Sequence, residues 1–288
     1  MASIRKRTWT TAKGEKRIAW AVDFTDASGN RERRQFATKR EADAFRVEIE
    51  GQLRAGTFRP EAAKVTVKEA ADLFLDHCEG RMKRRERMTR HNLAVYEGHV
   101  RNYICPDPSR HAEGKRPPRM KDFDGGIGAI KLGQLTASKV TDFRDRIRDA
   151  GVSVPTTRKI LGTIQIVLEY AIGRDLIAVN PARGVKVIGR RDEGSKKIVP
   201  PTEEAVRRLI EVADPDFRVK LIVASATGMR AGEFHALRWR HLDLATGEVT
   251  IETRVDAYGE EDVTKTAAGM RTVPLGGAVI ATLKEWKV

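Results

Sequence analysis

One stretch of the sequence, residues 226–243 with the letters ATGMRAGEFHALRWRHLD, places several functional groups at close and fixed spacing. Gly228 has no β-carbon and can adopt the left-handed conformation that ends a helix, so that Arg230 would begin the next helix. Free amide groups and the helix dipole attract anions at that position. Arg230 is therefore a candidate for binding a phosphate group. The alternative is an ordinary surface ion pair between Arg230 and Glu233, which are three positions apart.

The same stretch resembles the first catalytic box of the tyrosine recombinases of the phage integrase type. The box of that family has the form T-G-x-R-x-x-E-x-x-x-L-x-W-x-x-(H/D)-(I/L/V)-D. It is matched here by Thr227, Gly228, Arg230, Glu233, Leu237, Trp239, His241, Leu242 and Asp243. The resemblance implies an enzyme that cleaves and rejoins DNA through a phosphotyrosine intermediate and needs no cofactor and no metal. We expect His235 and His241 to be packing or surface residues.

The resemblance continues downstream, where residues 264–266 (TKT) and 271–275 (RTVPL) are similar to the family's β-hairpin with its catalytic lysine. It implies that Arg230 holds the non-bridging phosphate oxygens, that Lys265 protonates the leaving 5′-oxygen, and that Glu233 orients the site. Fixed cationic donors suit this chemistry because they stabilise the charge that develops on the phosphate. The alternative for Lys265 is an exposed lysine on a strand.

The residues that follow Lys265 depart from the family pattern. They contain no histidine and no tyrosine, so the family's second box, H-x-x-R, and its nucleophilic tyrosine have no counterpart there. Tyr258 is the only tyrosine after Arg230, and we expect it to be a turn residue, since nothing nearby would activate it. The expectation is a catalytic domain cut roughly in half and inactive alone, with the apolar residues 221–223 and 279–280 left uncovered.

Upstream, residues 61–186 have the apolar spacing of several short helices, which predicts an all-helical bundle. Thr66 and Glu69 are a predicted capping box, and the helix that follows should turn inward Ala70, Leu73, Phe74 and His77. Thr136 and Thr156-Thr157 are predicted to begin two further helices. The stretches 127–136 and 176–181 resemble the helical core-binding domain of the same family.

Two groups of basic residues in this bundle are predicted to bind DNA. The first is a run between two helices, which we call the basic strip: Arg81, Lys83, Arg84, Arg85, Arg87 and Arg90. The second is Arg158 with Lys159, near the start of a later helix. Contacts from arginine and lysine to phosphate dominate the affinity of proteins for DNA. The alternative is that these residues are only solvated surface.

Residues 1–60 predict a small sheet covered by one helix. The apolar residues alternate over 18–24, a turn follows at 27–30, and 31–36 is extended again, as in a β-hairpin. Thr38 and Glu41 form a predicted capping box that begins the helix. The segment resembles the arm-binding domain of lambda-like integrases, and its predicted DNA-binding residues are Arg31, Arg33, Arg34, Lys39 and Arg40. The alternative is a solvated basic face on a small α+β domain.

Together these patterns predict a multidomain α+β chain. The predicted parts are a β-hairpin or sheet-plus-helix domain that binds arm-type DNA (1–60), an all-helical core-binding bundle (61–186), a polar linker (187–200), and the N-terminal part of a mixed α/β catalytic domain (201–288). Residues 105–128, rich in proline and glycine, are predicted to be a long loop without chemistry.

Composition agrees with a polyanionic partner. The chain of 288 residues has 54 Lys and Arg against 40 Asp and Glu, a net charge of +14, and the first 190 residues carry the whole excess. Such a charge suits double-stranded DNA, here in attachment-site-like sequences. No apolar run approaches the roughly 20 residues that cross a bilayer, and no signal peptide begins the chain. The sequence therefore predicts a cytoplasmic, nucleoid-associated protein of a bacterial host, without a membrane partner.

Three functions remain open from the sequence. The first is a phage or prophage integrase for site-specific recombination, shortened so that it only binds DNA; an active form would be a homo-tetramer on DNA. The second is a DNA-binding accessory or regulatory protein that never recombines its sites. The third is a chain whose missing residues a partner supplies. The two cysteines, Cys78 and Cys105, have no spacing typical of a zinc site or a disulfide framework.

Overall fold

The computed structural model describes residues 2–12, 14–26, 29–106, 123, 125–189, 193, 198–263 and 269–287. The chain forms two compact units, Met1–Glu193 and Gly194–Val288. Their boundary lies inside the stretch 187–200, for which the sequence predicts a linker. The finer division of the first unit at residue 60 stays a prediction.

The first unit begins with a three-stranded antiparallel sheet in the order β1-β2-β3 and one helix. The elements are β1 Ser3–Thr10, β2 Lys16–Thr25, β3 Arg31–Phe36 and α1 Lys39–Arg54. The hairpin of β2 and β3 was predicted, but β1 was not. It is an edge strand with mostly charged or hydroxyl side chains, so the sequence shows no apolar alternation that would reveal it.

Helix α1 packs on one face of this sheet. The buried contacts include Val22 and Phe24 from the sheet with Ala42 and Ile49 from the helix. The predicted capping box is present: the Thr38 side chain accepts from the Glu41 amide, and the Glu41 carboxylate accepts from the Thr38 amide. The opposite face of the sheet carries no covering helix within the described residues.

The rest of the first unit is the predicted helical bundle. Its elements are α2 Val67–Lys83, α3 Arg90–His99, a π-helical turn Val100–Ile104, α4 Ala137–Asp149 and α5 Val154–Gly173. Its core includes Phe74, Phe143, Ile147, Ile160 and Leu168, all buried. The spacing of three and four residues between such positions is what one face of a helix requires.

Two details of the bundle differ from the sequence prediction. Leu73 is 41% exposed and His77 lies on the surface, where its ring packs 4.9 Å from that of Tyr170; Ala71 and Cys78 are buried on α2 in their place. Helix α5 begins two residues early, because Ser153 accepts from the Thr156 amide and caps it.

The Thr66 capping box gives a testable expectation for stability. Thr66 accepts from the Glu69 amide at 3.2 Å, and Glu69 accepts from the Thr66 amide at 2.7 Å. Thr66→Ala should lower the free energy of unfolding of the first unit by about 1 kcal/mol, as for other N-caps. Urea unfolding followed by circular dichroism measures this. Thr66→Ser keeps the acceptor and should stay near the original value; equal losses for both variants would contradict the capping argument.

The second unit mixes helices with short strands. Its helices are α6 Glu203–Val212, α7 Pro215–Thr227, α8 Ala231–His235 and α9 Gly277–Lys287. Its strands are β4 Leu242–Asp243, β5 Glu248–Ile251, β6 Thr253–Val255, β7 Glu261–Val263 and β8 Arg271–Pro274. They form an antiparallel sheet in the order β4-β5-β8 and a separate β6-β7 hairpin.

The core of the second unit corrects one expectation. Val223 and Val279 were expected to be uncovered, yet they are only 3% and 9% exposed. Helix α9 packs against α7 and shields both side chains, in one cluster with Val249 and Leu275. Other apolar residues of this unit are exposed, among them Leu209 on α6 at 53% and Phe217 on α7 at 52%.

The described part of the chain thus mixes α-helices and β-strands, as the sequence predicts. Among the helices of that part, none combines the length and apolar character needed to cross a membrane.

Candidate functional site

The first catalytic box forms a sharp turn between two helices. Helix α7 ends at Thr227, and Gly228 follows with φ of 60°, the left-handed conformation that favours glycine. Arg230 is the N-cap residue of α8, and its amide donates to the Glu233 carboxylate at 3.0 Å. The predicted position of Arg230 at the start of a helix is therefore what the structure shows.

Glu233 is the centre of this site, and we call Glu233, Arg230 and Arg271 the arginine–glutamate cluster. The Glu233 carboxylate accepts from Arg230 Nη1 at 2.8 Å and from Arg271 Nη2 at 2.9 Å. Its side chain is 5% exposed, whereas that of Arg230 is 78% exposed. The hydrogen bond from Arg271 lowers the pKa of Glu233 to about 2, and the hydrogen bonds from Arg230 add to this effect. Burial alone would raise the pKa. The pair is therefore not an ordinary surface ion pair, because its acidic partner is buried between two guanidinium groups.

Two features of the fold bring these residues together. Strand β8 pairs with β5 so that Arg271 lies opposite Ile251, which carries Arg271 to Glu233 across 38 positions of sequence. Strand β6 passes directly over α8: a β-carbon at Gly232 would lie 2.8 Å from the carbonyl oxygen of Val255. Glycine is therefore required at position 232 for this approach.

This arrangement can hold an anion. Glu233 keeps Arg230 at the helix start, where its exposed guanidinium can donate two parallel hydrogen bonds to a phosphate. Arg271 was not assigned a role from the sequence, although its stretch 271–275 was recognised; only the strand pairing shows that it contacts Glu233. Lys265, the predicted general acid, lies outside the described residues.

The other candidate side chains of the second unit have structural roles or lie on turns. His241 is 7% exposed and its Nδ1 accepts from the Arg238 amide at 3.1 Å, so it caps the turn Trp239–His241. His235 is exposed at the end of α8. Tyr258 lies between β6 and β7, 40% exposed, with its amide donating to Asp256. Among the described residues no cluster of His, Cys, Asp or Glu could hold a metal ion.

A second basic surface lies on the sheet of the first unit, on the face opposite α1. We call it the outer sheet face. Side chains alternate along a strand, so the residues in register with the odd positions of β2 share this face. It contains Arg5, Arg7, Arg17, Arg31 and Arg33, with Asp23 among them.

The outer sheet face includes only some of the predicted DNA-binding residues. Arg31 and Arg33 belong to it. Arg34 lies over the Phe45 ring at 5.3 Å and Lys39 over the Trp20 ring at 5.8 Å, both on the side of α1. Arg40 is exposed on α1 itself. Arg5, Arg7 and Arg17 were not predicted: Arg5 and Arg7 lie on the unpredicted strand β1, and Arg17 precedes the apolar alternation of β2, opposite Trp9.

The basic strip lies at the surface, with Arg81 half-buried and its other members exposed, and ion pairs engage several of its side chains. Arg81 and Arg84 both donate to Glu86, at 2.8 and 2.7 Å, and Lys83 lies 3.9 Å from Glu79. The remaining members, Arg85, Arg87 and Arg90, are exposed as well. Exposed ion pairs of this kind contribute little to stability, so they leave the guanidinium groups able to exchange partners with a phosphate.

The structure does not bring Arg158 and Lys159 to the basic strip. His77 packs on Tyr170, which places the C-terminal half of α2 beside the end of α5. Lys159 lies in the first turns of α5, about 16 Å along the axis from Tyr170 at ~1.5 Å per residue. Arg174 was not predicted as a DNA-binding residue; its guanidinium lies 5.6 Å from the Tyr170 ring, at the end of α5 that packs beside α2.

Comparison with curated proteins finds recombinases and integrases. A tyrosine recombinase XerC-like protein of Caldanaerobacter subterraneus subsp. tengcongensis is 24% identical over 278 residues, covering 90% of this chain and 65% of the relative. The ICEBs1 integrase of Bacillus subtilis is 26% identical over 54% of this chain and 43% of the relative. XerC of Xanthomonas axonopodis pv. citri is 30% identical over 48% and 42%. The chain thus spans 65% or less of the length of these relatives. No protein-family model matches it.

Solved structures share the fold at low sequence identity. The Tn1549 transposon integrase, in complex with a circular intermediate DNA, has a TM-score of 0.57 and 17% identity, covering 77% of this chain and 65% of that one. A lambda integrase dimer bound to a core site has a TM-score of 0.52 and 14% identity, covering 97% and 71%. The chain is therefore similar in sequence to tyrosine recombinases and an integrase, and it shares its fold with the Tn1549 and lambda integrases.

Proposed function

We propose that this chain acts in site-specific DNA recombination, in the integration of a phage or prophage genome, as a DNA-binding chain that carries the first catalytic box but no nucleophilic tyrosine for the phosphotyrosine intermediate. The arginine–glutamate cluster is the observation that carries the proposal. An exposed arginine held at a helix start by a buried carboxylate is suited to grip a phosphodiester, and it lies in the box that resembles the first catalytic box of the family.

Each residue of the site would have a separate role at the scissile phosphate. Arg230 donates to the non-bridging oxygens, and Lys265 gives a proton to the leaving 5′-oxygen as general acid. Glu233 positions Arg230, and Arg271 in turn positions Glu233. Tyr258 is not proposed as the nucleophile, because it lies on a hairpin turn and its backbone amide is tied to Asp256.

The DNA itself would be held chiefly by the first unit. The outer sheet face carries five arginines against one aspartate, and the basic strip adds a second positive surface. Arg34, Lys39, Arg40, Arg158 and Lys159 remain proposed contributors at other places on the unit. Two separate basic surfaces on one chain suit binding to two segments of an attachment-site-like duplex. Four copies of the chain would assemble on the DNA during recombination.

DNA binding is the direct test of this proposal. The full chain should bind a fluorescently labelled 30-base-pair duplex, and the logarithm of the association constant should fall linearly with the logarithm of salt concentration. Each phosphate contact contributes a slope of about −0.9. Fluorescence anisotropy from 50 to 300 mM salt measures the slope. Binding that does not respond to salt, or no binding at 50 mM, would refute the proposal.

The role of Tyr258 is tested on a nicked suicide substrate, which traps covalent protein–DNA complexes. We expect the 288-residue chain to form none, because no tyrosine of its second unit other than Tyr258 is available and Tyr258 lies on a turn. Denaturing gel electrophoresis shows the outcome. A trapped complex that disappears in Tyr258→Phe would overturn this assignment.

The same experiment separates recombination from the accessory function. A chain that binds DNA without cleaving it, even when a second polypeptide supplies the family's second box and tyrosine, would favour a non-catalytic regulatory protein. Covalent cleavage in such a mixture, lost in Arg230→Ala, would support the recombinase.

A further inference from the structure

Asp23 is the one acidic side chain among the five arginines of the outer sheet face in the described residues. It lies on the central strand β2, directly opposite Arg33 on β3. The Nε atom of Arg33 donates to Asp23 Oδ1 at 2.5 Å, and Arg5 Nε lies 3.9 Å from Oδ2. The bond from Arg33 lowers the pKa of Asp23, so the carboxylate stays ionised at neutral pH.

The bond through Nε leaves a particular part of Arg33 available. In the described part of the chain no hydrogen bond engages its two terminal nitrogen atoms, and its side chain is 51% exposed. A guanidinium group is planar, so fixing Nε also fixes the plane in which the terminal N–H groups donate. Arg33 is therefore oriented before any ligand arrives.

The side chains around Arg33 leave room for a DNA duplex to approach it. On the central strand the outer sheet face carries Ala19 and Ala21, which are only 7% and 1% exposed between longer neighbours. Ala21 lies between Arg5 on β1 and Gln35 on β3, and Ala19 lies opposite Arg7, so the long side chains of the two edge strands project further from the sheet than the central strand does. A β-ribbon can enter the major groove of a duplex, and the long side chains that project from it then reach the base edges.

We infer that Arg33, held by Asp23, is a specificity-determining residue that donates two hydrogen bonds to O6 and N7 of a guanine in the major groove. The inference rests on the proposed function. It adds that the outer sheet face recognises a particular base as well as binding DNA through its charge. Arginine with guanine is the commonest specific contact in the major groove, and it needs two parallel donors in a fixed plane. The other arginines of the face would contact phosphates and carry no sequence information.

The test uses the full chain and a random duplex library. Duplexes bound by the unaltered chain are enriched and sequenced, and each guanine of the enriched site is then replaced by 7-deazaguanine, which lacks the N7 acceptor. We expect one guanine whose replacement weakens binding on the order of 10-fold or more, as for loss of a bidentate pair. Arg33→Gln should remove the sensitivity to that replacement.

Asp23→Asn is the decisive variant, because it removes no DNA contact and leaves a neutral residue of the same shape. It should bind non-specific duplex at least as tightly as the unaltered chain, since a negative charge is lost, but the preference for the guanine should fall several-fold. Glu15→Gln is the matched control: Glu15 lies 3.7 Å from Arg17 at the start of β2, and its loss changes the charge equally without touching Arg33. Circular dichroism shows whether each variant folds.

The outcomes are distinct. If the unaltered chain binds no DNA, the proposed function fails and this inference with it. If it binds DNA but shows no guanine dependence, or if Asp23→Asn keeps the full guanine preference, the inference is overturned while the proposed function stands. Loss of the preference in Asp23→Asn and in Arg33→Gln, with its retention in Glu15→Gln, supports the assignment.

Discussion

Glu233→Gln is expected to lower the free energy of unfolding of the second unit by about 3 kcal/mol at pH 7. The pKa of Glu233 is depressed from 4.5 to about 2, and each unit of pKa difference between the folded and unfolded states corresponds to about 1.4 kcal/mol. Glutamine occupies the same volume but cannot stabilise two guanidinium groups by charge. Urea unfolding followed by tryptophan fluorescence measures the loss, since Trp239 and Trp286 both lie in this unit.

The pH dependence gives the sign of the effect. A carboxylate with a depressed pKa in the folded state stabilises that state above its unfolded pKa of about 4.5 and loses the contribution as the pH falls towards 2. The difference in stability between the unaltered chain and Glu233→Gln should therefore shrink from pH 7 to pH 3. A difference that stays constant over this range would contradict the assigned ion pairs.

Glu204→Gln is the matched control for Glu233→Gln. Glu204 lies on α6 in the same unit and pairs with Arg208 at 2.6 Å, but both side chains are about three-quarters exposed. Its replacement should change the free energy of unfolding by less than about 0.5 kcal/mol. Comparable losses in the two variants would mean that the burial of Glu233 has no energetic consequence.

The second large effect is expected on DNA affinity. The double variant Arg7→Gln with Arg31→Gln removes two charges from the outer sheet face and leaves Asp23 and Arg33 in place. The salt slope should become less negative by about 2, and affinity at 0.1 M salt should fall on the order of 10- to 100-fold, because each contact releases about 0.9 of a counterion. Fluorescence anisotropy on a non-specific duplex measures both quantities.

The control for this variant removes the same charge elsewhere. Arg207 and Arg208 lie on α6, paired with Glu203 and Glu204. The double change of these residues to glutamine should alter the salt slope by much less than the change on the sheet. Equal effects would show that net charge alone, and not the outer sheet face, accounts for DNA binding.

Helix starts and ends, which depend on residues close together in the chain, were predicted from the sequence. The capping boxes at Thr38 and Thr66 and the helix end at Gly228 depend on interactions within three or four residues, which the residue types specify directly. The placement of Arg230 beside Glu233 follows from the same local spacing. Most of the bundle core was predicted. On α2, however, the predicted inward residue Leu73 is exposed, and Ala71 and Cys78 are buried instead.

Features that depend on distant partners were not predicted. Strand β1 has no apolar alternation of its own and exists because β2 offers its backbone groups. Once β1 is in place, two more arginines, Arg5 and Arg7, join Arg17, Arg31 and Arg33 on one face, and the register of β2 with β3 places Asp23 opposite Arg33. The shielding of Val223 and Val279 likewise depends on how α9 packs on α7.

For this protein the sequence alone was therefore sufficient for the family resemblance, the basic character and the local geometry around Arg230. Tertiary structure decided that Glu233 is buried between Arg230 and Arg271, because strand pairing joins residues 38 positions apart. It also decided which basic side chains share a surface. The physical reason is the same in both cases: hydrogen bonds between adjacent residues can be inferred from residue type, whereas register between strands depends on the packing of the whole unit.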